Sequence, residues 1–568
     1  MYLKKSTRKN GRVYLSIADG YHDPKKGYSR TVNIKKIGYL DTFLDQYEDP
    51  IAHFEEVVAQ MNFEKKASKP QQSYDYDPDE TFDGDNSKNF GYAALSYIYH
   101  ELEIDTFFNS RQRSIGAKYN LNSIMRLLVF SRLLYPGSKK NNFENRGKFF
   151  ERFDFTLDDL YRSLTRFNKF REALQLWIHE HVTSGYGRDT TITYYDVTNY
   201  YFEIDKQDKT RRKGVCKEHR PNPIVQMGLF MDNSGLPVAY QLFPGNNNDC
   251  TTLIPILQRI RREFGVGKAV VVSDKGLNTA KNAYYLANSR GGYVFSQSVR
   301  GGTKELKEYV LKKSGYEQFG DDYKKKSRQF TRKVEFEDES GNIVKADIEE
   351  KQVIFYSRDY DRRAKADRAA AVTKAKSLIA NPDKFNKYNS YGAAKYIKHI
   401  EFDEETGEII KAKSVIAFDE EKLAEDEKYD GYYVIVTSKC KATDEWVIDT
   451  YKELWRIEET FKVTKSDLEA RPVHVSRDDH IESHFLTCFV ALVIIRLLQK
   501  KLGGRYSSEK ILTGLSKTCC TNTDANRYVA NYNDEAVIEI GKLFGIDFRK
   551  KNRTLAEIKN IIAKTKIK

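Results

Sequence analysis

The chain has 568 residues, 40% hydrophobic and 31% charged, a composition ordinary for a folded protein in water and a length too great for one core. Its 95 Lys and Arg against 81 Asp and Glu leave a formal charge of +14, which suits a polyanionic partner, nucleic acid first, although many basic proteins bind nothing anionic. Its six cysteines (Cys216, Cys250, Cys440, Cys488, Cys519, Cys520) have no C-x-x-C spacing, which argues against a zinc site or a disulfide framework and for a reducing cytoplasm.

The N-terminus opens on charged residues without an apolar stretch, so no secretory leader is expected. Residues 1–70 are basic. Val13, Leu15 and Ile17 alternate with polar residues, as do Val32 and Ile34, around a turn-rich stretch from Asp19-Gly20 to Lys26-Gly27. This predicts a basic, DNA-binding β-hairpin. A helix follows with Ile51, Phe54, Val57, Val58 and Met61 on one face. Residues 71–89 form an acidic linker, in which 71–87 carry no Lys or Arg. Residues 90–185 read as helical, with an apolar run from Leu127 to Leu134 stopped by Pro136-Gly137. Two basic blocks follow, Lys139 to Arg152 and Leu160 to Phe170, and DNA binding is expected of residues 90–185, although charge alone suits ordinary solvated helix faces equally.

From residue 186 to 300 the texture is βββ-α-β-α-β. Strands are expected at Thr191–Asp196, Pro223–Met231, Leu236–Phe243, Lys268–Asp274 and Gly292–Val299. That order fits an α/β fold with an RNase H-like core. Residues 301–430 interrupt it with turns at Asp338–Asn342 and Glu404–Glu408 and a charged helix near Arg362 to Ile379, read as a β-rich insertion closed by the strand Tyr432–Val436. The core resumes over 431–510 with a helix from Asp444 to Lys465 and a buried helix from His484 to Gln499. The apolar run inside the latter, Phe485 to Ile495, is too short to span a bilayer, and no membrane partner is expected. Residues 511–568 are expected to be helical.

Phosphodiester chemistry with a pair of hard divalent ions needs carboxylates brought together from separate elements. In an RNase H-like sheet the middle of the first strand and the end of the fourth lie side by side, where Asp196 and Asp274 stand. A helix across the sheet would supply Glu458. Tyr451, Glu458 and Lys465 are spaced by seven, nearly two helical turns, so one helix would align them on one face. Alone, each acid has a plainer reading, as a strand-end or turn residue or, for Glu458 with Lys462, an i,i+4 pair. Asp249 and Glu459 are the rival ligands. The cluster Lys206 to Arg220, with Arg211, Arg212, Lys217 and Arg220, could contact phosphates beside the site or be a charged loop.

These segments resemble the DDE transposases of bacterial insertion sequences, in the subgroup with a YREK signature. The likeness rests on Tyr195-Asp196-Val197-Thr198, on Val272-Ser273-Asp274-Lys275-Gly276, and on Tyr451, Glu458 and Lys465 as the Y, E and K. Gly235-Leu236-Pro237, Phe243 to Asp249, Lys217 to Asn222 and Arg471-Pro472-Val473 are similar to further family segments. The signature Arg is Leu454 here, and Arg456, nearby in sequence, falls on another side of the helix. The resemblance implies two Mg²⁺ (or Mn²⁺) ions on Asp196, Asp274 and Glu458. It also implies DNA contacts by Tyr451, Lys465, Arg456, Arg211, Arg212, Lys217 and Arg220, and a β insertion over the active site. It further implies cut-and-paste movement, with or without a hairpin intermediate, on double-stranded DNA, terminal inverted repeats and target alike. The protein would act as a homodimer in the bacterial cytoplasm, nucleoid-associated when bound. A DNA-binding regulator without catalysis and an RNase H-like nuclease or resolvase remain the alternatives.

Overall fold

The computed structural model describes every residue except 9–10, 24–27, 68–85, 215–220, 382–389, 391, 399–416, 525 and 567–568. The chain divides into two units, residues 1–81 and 82–568.

In the first unit the expected hairpin is β2 (Val13–Asp23) against β3 (Tyr28–Tyr39), and β1 (Tyr2–Thr7) adds a third antiparallel strand beside β2. Two irregularities in the β2–β3 ladder, at Leu15/Ser16 and Ile17/Ala18, break the alternation. Leu15, Ile17 and Ala18 are all buried as a result. Val32 and Ile34, which alternate with polar residues on β3, are 47% and 50% exposed. The helix α1 (Pro50–Ala67) instead lies against β1 and the turn at Leu40–Phe43.

The second unit begins with the short β4 (Ser87–Asn89) and the expected helices: α2 (Tyr92–Glu101), α3 (Ile104–Gln112), α4 (Leu121–Leu134), α5 (Lys139–Glu144), α6 (Leu157–Lys169) and α7 (Arg171–Tyr186). Their starts follow from the sequence. Asn120 and Ser138 cap α4 and α5 through their side chains, and Thr156 with Asp159 forms a capping box on α6. Gly187, at φ +66°, ends α7.

A large mixed sheet follows. Its strands are β5 (Ile192–Tyr201), β6 (Ile224–Asp232) and β7 (Pro237–Pro244), then, after α8 (Leu253–Glu263), β8 (Val270–Ser273), and, after α9 (Ala280–Ala287), β9 (Tyr293–Gln297). Their spatial order is β7-β6-β5-β8-β9, with β5, β8 and β9 parallel and β6 and β7 antiparallel. This is the RNase H-like arrangement.

After α10 (Lys304–Leu311) the insertion supplies β10 (Glu317–Phe319), β11 (Tyr323–Glu337), β12 (Ile343–Ser357), α11 (Arg358–Ala380), the short pair β13 (Ile397–Lys398) and β14 (Ala417–Phe418), and α12 (Glu420–Glu427). The expected closing strand, β15 (Tyr432–Thr437), pairs antiparallel with both β9 and β12. The nine strands therefore form one sheet, and β10–β12 extend the core sheet sideways. The open edge of β9 has backbone N–H and C=O groups to satisfy, and β15 satisfies them. The turn at Asp338–Gly341 joins β11 to β12 as expected; the turn expected at Glu404–Glu408 lies outside the described residues.

The remaining elements are α13 (Asp444–Lys452), α14 (Trp455–Lys462), α15 (Asp478–Lys501), α16 (Ser508–Lys517), β16 (Cys519–Asp524), β17 (Arg527–Ala530), α17 (Glu535–Phe544), β18 (Asn552–Thr554) and α18 (Leu555–Lys564). The C-terminal stretch, expected to be helical, thus includes three strands. These form a sheet in the order β18-β17-β16-β4, so the start and end of the unit are tied together. By length and composition α15 could cross a membrane, yet 89% of its most apolar window is buried. It packs against α2, α4, α6 and β7, inside one apolar cluster shared by the helices and one face of the sheet.

Arg188 and Asp232 form an ion pair at 3.2 Å with both side chains fully buried. The other oxygen of Asp232 accepts from the backbone N–H groups of Ser234 and Leu236 and from the Ser234 hydroxyl, which shapes the β6–β7 turn. Arg188→Ala would leave a buried carboxylate without its cation, which costs about 3–5 kcal/mol. Urea unfolding of the variant is expected to show that loss; a loss below about 1 kcal/mol would mean the site relaxes to admit water.

Candidate active site

Parallel pairing places Ile192, Thr193 and Tyr194 of β5 opposite Val270, Val271 and Val272 of β8. In turn, Val271, Val272 and Ser273 lie opposite Tyr293, Val294 and Phe295 of β9. Carried past the last paired residues, to two positions beyond Tyr194 and Val272, the same register sets Asp196, Asp274 and Ser296 abreast. The Ser273 hydroxyl, donating to the Tyr195 carbonyl at 2.7 Å, holds the strands together at this level.

Side-chain alternation decides which face these residues occupy. Tyr194, Val272 and Val294 pack in the cluster that contains Ile457, Phe461 and Phe485. Tyr195, Val271 and Phe295 pack on the opposite face, over α8 and α9. Asp196 and Asp274 share the parity of the first set and so belong to the face covered by α13–α15. Asp196 is half-buried, and its Oδ1 accepts from the Val197 N–H at 2.7 Å. Asp274 directly follows β8 and caps the short turn Lys275–Leu277, accepting from the Gly276 N–H at 2.9 Å.

The helix expected from Asp444 to Lys465 is not continuous. It breaks at Glu453-Leu454, where i→i+3 hydrogen bonds tighten the chain, and residues Val463–Asp467 form a π-turn. α13 follows β9 and β15, whereas α14 lies over β5. A helix crossing a twisted sheet from one strand to the other must change direction. Although the break falls between them, the seven-residue spacing still brings Tyr451 and Glu458 to one cavity. It does not carry on to Lys465, because a π-turn takes more residues per turn than an α-helix.

Asp274, Tyr451 and Glu458 line a single cavity of about 460 Å³, together with Ser296, Tyr433 and Leu454. The Tyr451 hydroxyl is hydrogen-bonded to that of Tyr433 at 2.9 Å, and burial raises the pKa of both phenols. Asp196 and Lys465 lie outside this lining. Lys465 sits 5.7 Å from the ring centre of Tyr200, four residues beyond Asp196 on the same strand face. Among the described residues, no three Asp, Glu, His or Cys side chains converge closely enough to hold an ion as they stand. The donor set still suits a hard divalent ion: it consists of carboxylates, and no Lys or Arg among the described residues pairs with Asp274 or Glu458.

Glu459, the rival ligand, faces elsewhere. It pairs with Arg496 at 3.3 Å and lines a separate cavity of about 640 Å³. Arg456 opens on that second cavity too, paired with Glu453 at 2.6 Å and donating to the Asn233 carbonyl. Asp249 begins a short 3-10 turn capped by Asn248. Arg211 pairs with Asp208 and lies over Phe202, and the backbone of Arg212 pairs with Ile224. Lys217 and Arg220 lie outside the described residues. Ser296 and Tyr433 were not anticipated as cavity residues. The parity of β9 could have indicated Ser296, but Tyr433 reaches the cavity only because β15 pairs with β9.

Beneath the loop after α14, Arg132 donates to the carbonyls of Leu468 and Glu469, and a His484 ring nitrogen lies 3.0 Å from the Ala470 carbonyl oxygen. Lys139, read from sequence as part of a DNA-binding block, is buried here, 3.4 Å from the other ring nitrogen of His484.

A family model, the transposase DDE domain, matches residues 196–494. The matched span begins at Asp196, takes in Asp274 and Glu458, and covers more than half of the chain. The chain belongs to the DDE transposase family, whose members carry out DNA transposition and in general use divalent metal ions. Among solved structures, the cryo-EM structure of the piggyBac transposase synaptic complex with hairpin DNA is similar at a TM-score of 0.37 and 8% identity, over 75% of this chain and 78% of that one. No curated protein matches the chain.

Burial, with Arg132 nearby, pushes the Lys139 ammonium down to about 7. Its value in the unfolded chain is about 10.4. Between these two values the unfolded chain holds a proton that the folded chain has released, so this group adds stability as pH rises above about 7. From pH 7 to pH 9 the wild type is expected to gain about 2 kcal/mol relative to Lys139→Met in urea unfolding. Parallel pH profiles for the two proteins would contradict the assignment.

Proposed function

We propose that the protein cleaves transposon ends and joins them to target DNA, with Asp196, Asp274 and Glu458 acting as one unit that holds two Mg²⁺ or Mn²⁺ ions. The observation that carries this reading is the shared strand register of Asp196 and Asp274, on the sheet face from which Glu458, and not Glu459, meets Asp274 in one cavity. Bound there, the ions would supply Lewis-acid stabilisation of the phosphodiester and a nucleophilic water at neutral pH. The three carboxylates come from β5, from the end of β8 and from α14, rigid elements that fix where each acid stands. Tyr433 and Tyr451 wall the cavity on one side.

The reaction has two stages. Hydrolysis at the transposon end frees a 3′-hydroxyl, and that hydroxyl then attacks target DNA in line. Two ends require two sites, so the protein would act as a homodimer on terminal inverted repeats, in a cut-and-paste reaction. The basic first unit, with exposed Lys35 and Lys36 on β3, would add affinity for the duplex through phosphate contacts.

The test is nicking of a duplex bearing the inverted repeat that flanks the gene. Asp196→Asn, Asp274→Asn and Glu458→Gln should each slow nicking by orders of magnitude, and double variants should be little worse than single ones, because the residues act as a unit. Glu459→Gln should cut at near the wild-type rate. If Glu458→Gln cuts normally while Glu459→Gln does not, the helix register is wrong. If all three single variants cut, the catalytic reading fails.

A further inference from the structure

Three cations share the cavity of Asp274 and Glu458: Lys275, Arg300 and Lys395. Arg300 belongs to the turn between β9 and α10, and Lys395 precedes β13 in the insertion. Neither pairs with Asp274 or Glu458 among the described residues. Both are held by a second pair of carboxylates. Arg300 donates from Nη2 to Asp430 at 2.7 Å and from Nε to the Asp426 carbonyl at 3.2 Å. Lys395 donates to Asp426 at 3.1 Å.

Asp426 and Asp430 are 2% and 5% exposed. Asp426 also takes the Tyr396 hydroxyl and the Lys422 ammonium, each at 3.1 Å, and Asp430 also pairs with Arg368. Gly431, at φ +76°, allows the close approach behind them, since a Cβ there would lie 2.4 Å from the Tyr356 ring. The two acids are thus fixed anchors, and each cation keeps unused donors. For Arg300 these are at Nη1, which has no acceptor among the described residues.

A phosphodiester entering this cavity brings negative charge towards Asp274 and Glu458, and its charge must be met by cations. The helices α13 and α14 put none there. They line the cavity with Tyr451, Leu454 and Glu458, and Arg456 opens on the opposite side. We infer that Arg300 and Lys395 form a phosphate-binding subsite that takes a backbone phosphate of the DNA strand beside the scissile bond. Asp430 and Asp426 act as the positioning residues behind them. The inference rests on the transposase reading above and adds to it the groups that hold the strand. Arg300 presents a fork suited to two phosphate oxygens, and Lys395 a point charge.

The experiment is single-turnover nicking of the end duplex by Arg300→Ala, Lys395→Ala and the double variant, with a methylphosphonate scan of the strand around the cut. Arg300→Ala should keep the wild-type melting temperature, because Arg368 remains on Asp430. It should nick about tenfold to a hundredfold more slowly, the effect of losing one charge-assisted hydrogen bond. At one position near the cut, the neutral methylphosphonate should slow the wild type but slow Arg300→Ala no further. If Arg300→Ala melts early, Arg300→Lys keeps a charge on Asp430 without the fork and should still nick several-fold more slowly; a wild-type rate from it overturns the subsite. Wild-type rates from Arg300→Ala and Lys395→Ala, or an equal response of Arg300→Ala and wild type to every methylphosphonate, overturn it as well. In both cases an active wild type with an inactive Asp274→Asn leaves the transposase reading standing. A wild type that does not nick overturns both.

Discussion

Two carboxylates on neighbouring strands can share a ligand only when the strands are held in a register that sets their side chains abreast and on one face. The parallel ladder between β5 and β8 imposes that register here. It is enforced from both faces of the sheet. Tyr194 and Val272 are locked into one apolar cluster and Tyr195 and Val271 into the other. A slip of β5 by one residue would exchange its two faces and turn Asp196 away from α14 and from Asp274. The cores on the two faces therefore do more than stabilise the unit; they determine where Asp196 and Asp274 stand.

The same sheet explains how an insertion of this length coexists with the cavity of Asp274 and Glu458. β15 joins the edge of β9 and brings Tyr433 beside Tyr451, with Asp430 just before the strand. The long hairpin of β11 and β12 then extends the sheet outwards from β15. Because the insertion is hydrogen-bonded to the core strands, the groups it contributes near the cavity are held by the same ladder as the acids. α13 is tied to this extension as well, through Lys351 to Asp444 at 2.6 Å.

Much of this was legible in the sequence, for identifiable reasons. The run Ala269 to Val272 is apolar and is followed by Ser273 and the acid Asp274, the mark of a strand buried on both faces, and β8 lies there. The polar turn Asp232–Gly235 between apolar runs marked the β6–β7 hairpin. Other features depend on contacts between residues distant in the chain. The break at Glu453-Leu454 and the π-turn at Val463–Asp467 leave the helical composition intact, so periodicity reads straight through them. β16 to β18 are short, and they form a sheet in which β16 pairs with β4, hundreds of residues earlier, while β17 and β18 build outwards from β16. Lys139 looks like any surface lysine of a basic block until α15 places His484 over it. Arg300 and Lys395 reach the acid cavity through Asp430 and Asp426, a link that neither spacing nor charge pattern encodes.

The central claim is that Asp196, Asp274 and Glu458 bind divalent ions together, and direct metal binding tests it without recourse to activity. Mn²⁺ titration of the full chain, followed by electron paramagnetic resonance of the free ion, counts sites and measures affinity. The account predicts two sites in the wild type and the loss or marked weakening of at least one in each of Asp196→Asn, Asp274→Asn and Glu458→Gln, with Glu459→Gln unchanged. Wild-type stoichiometry and affinity in all three variants would contradict it.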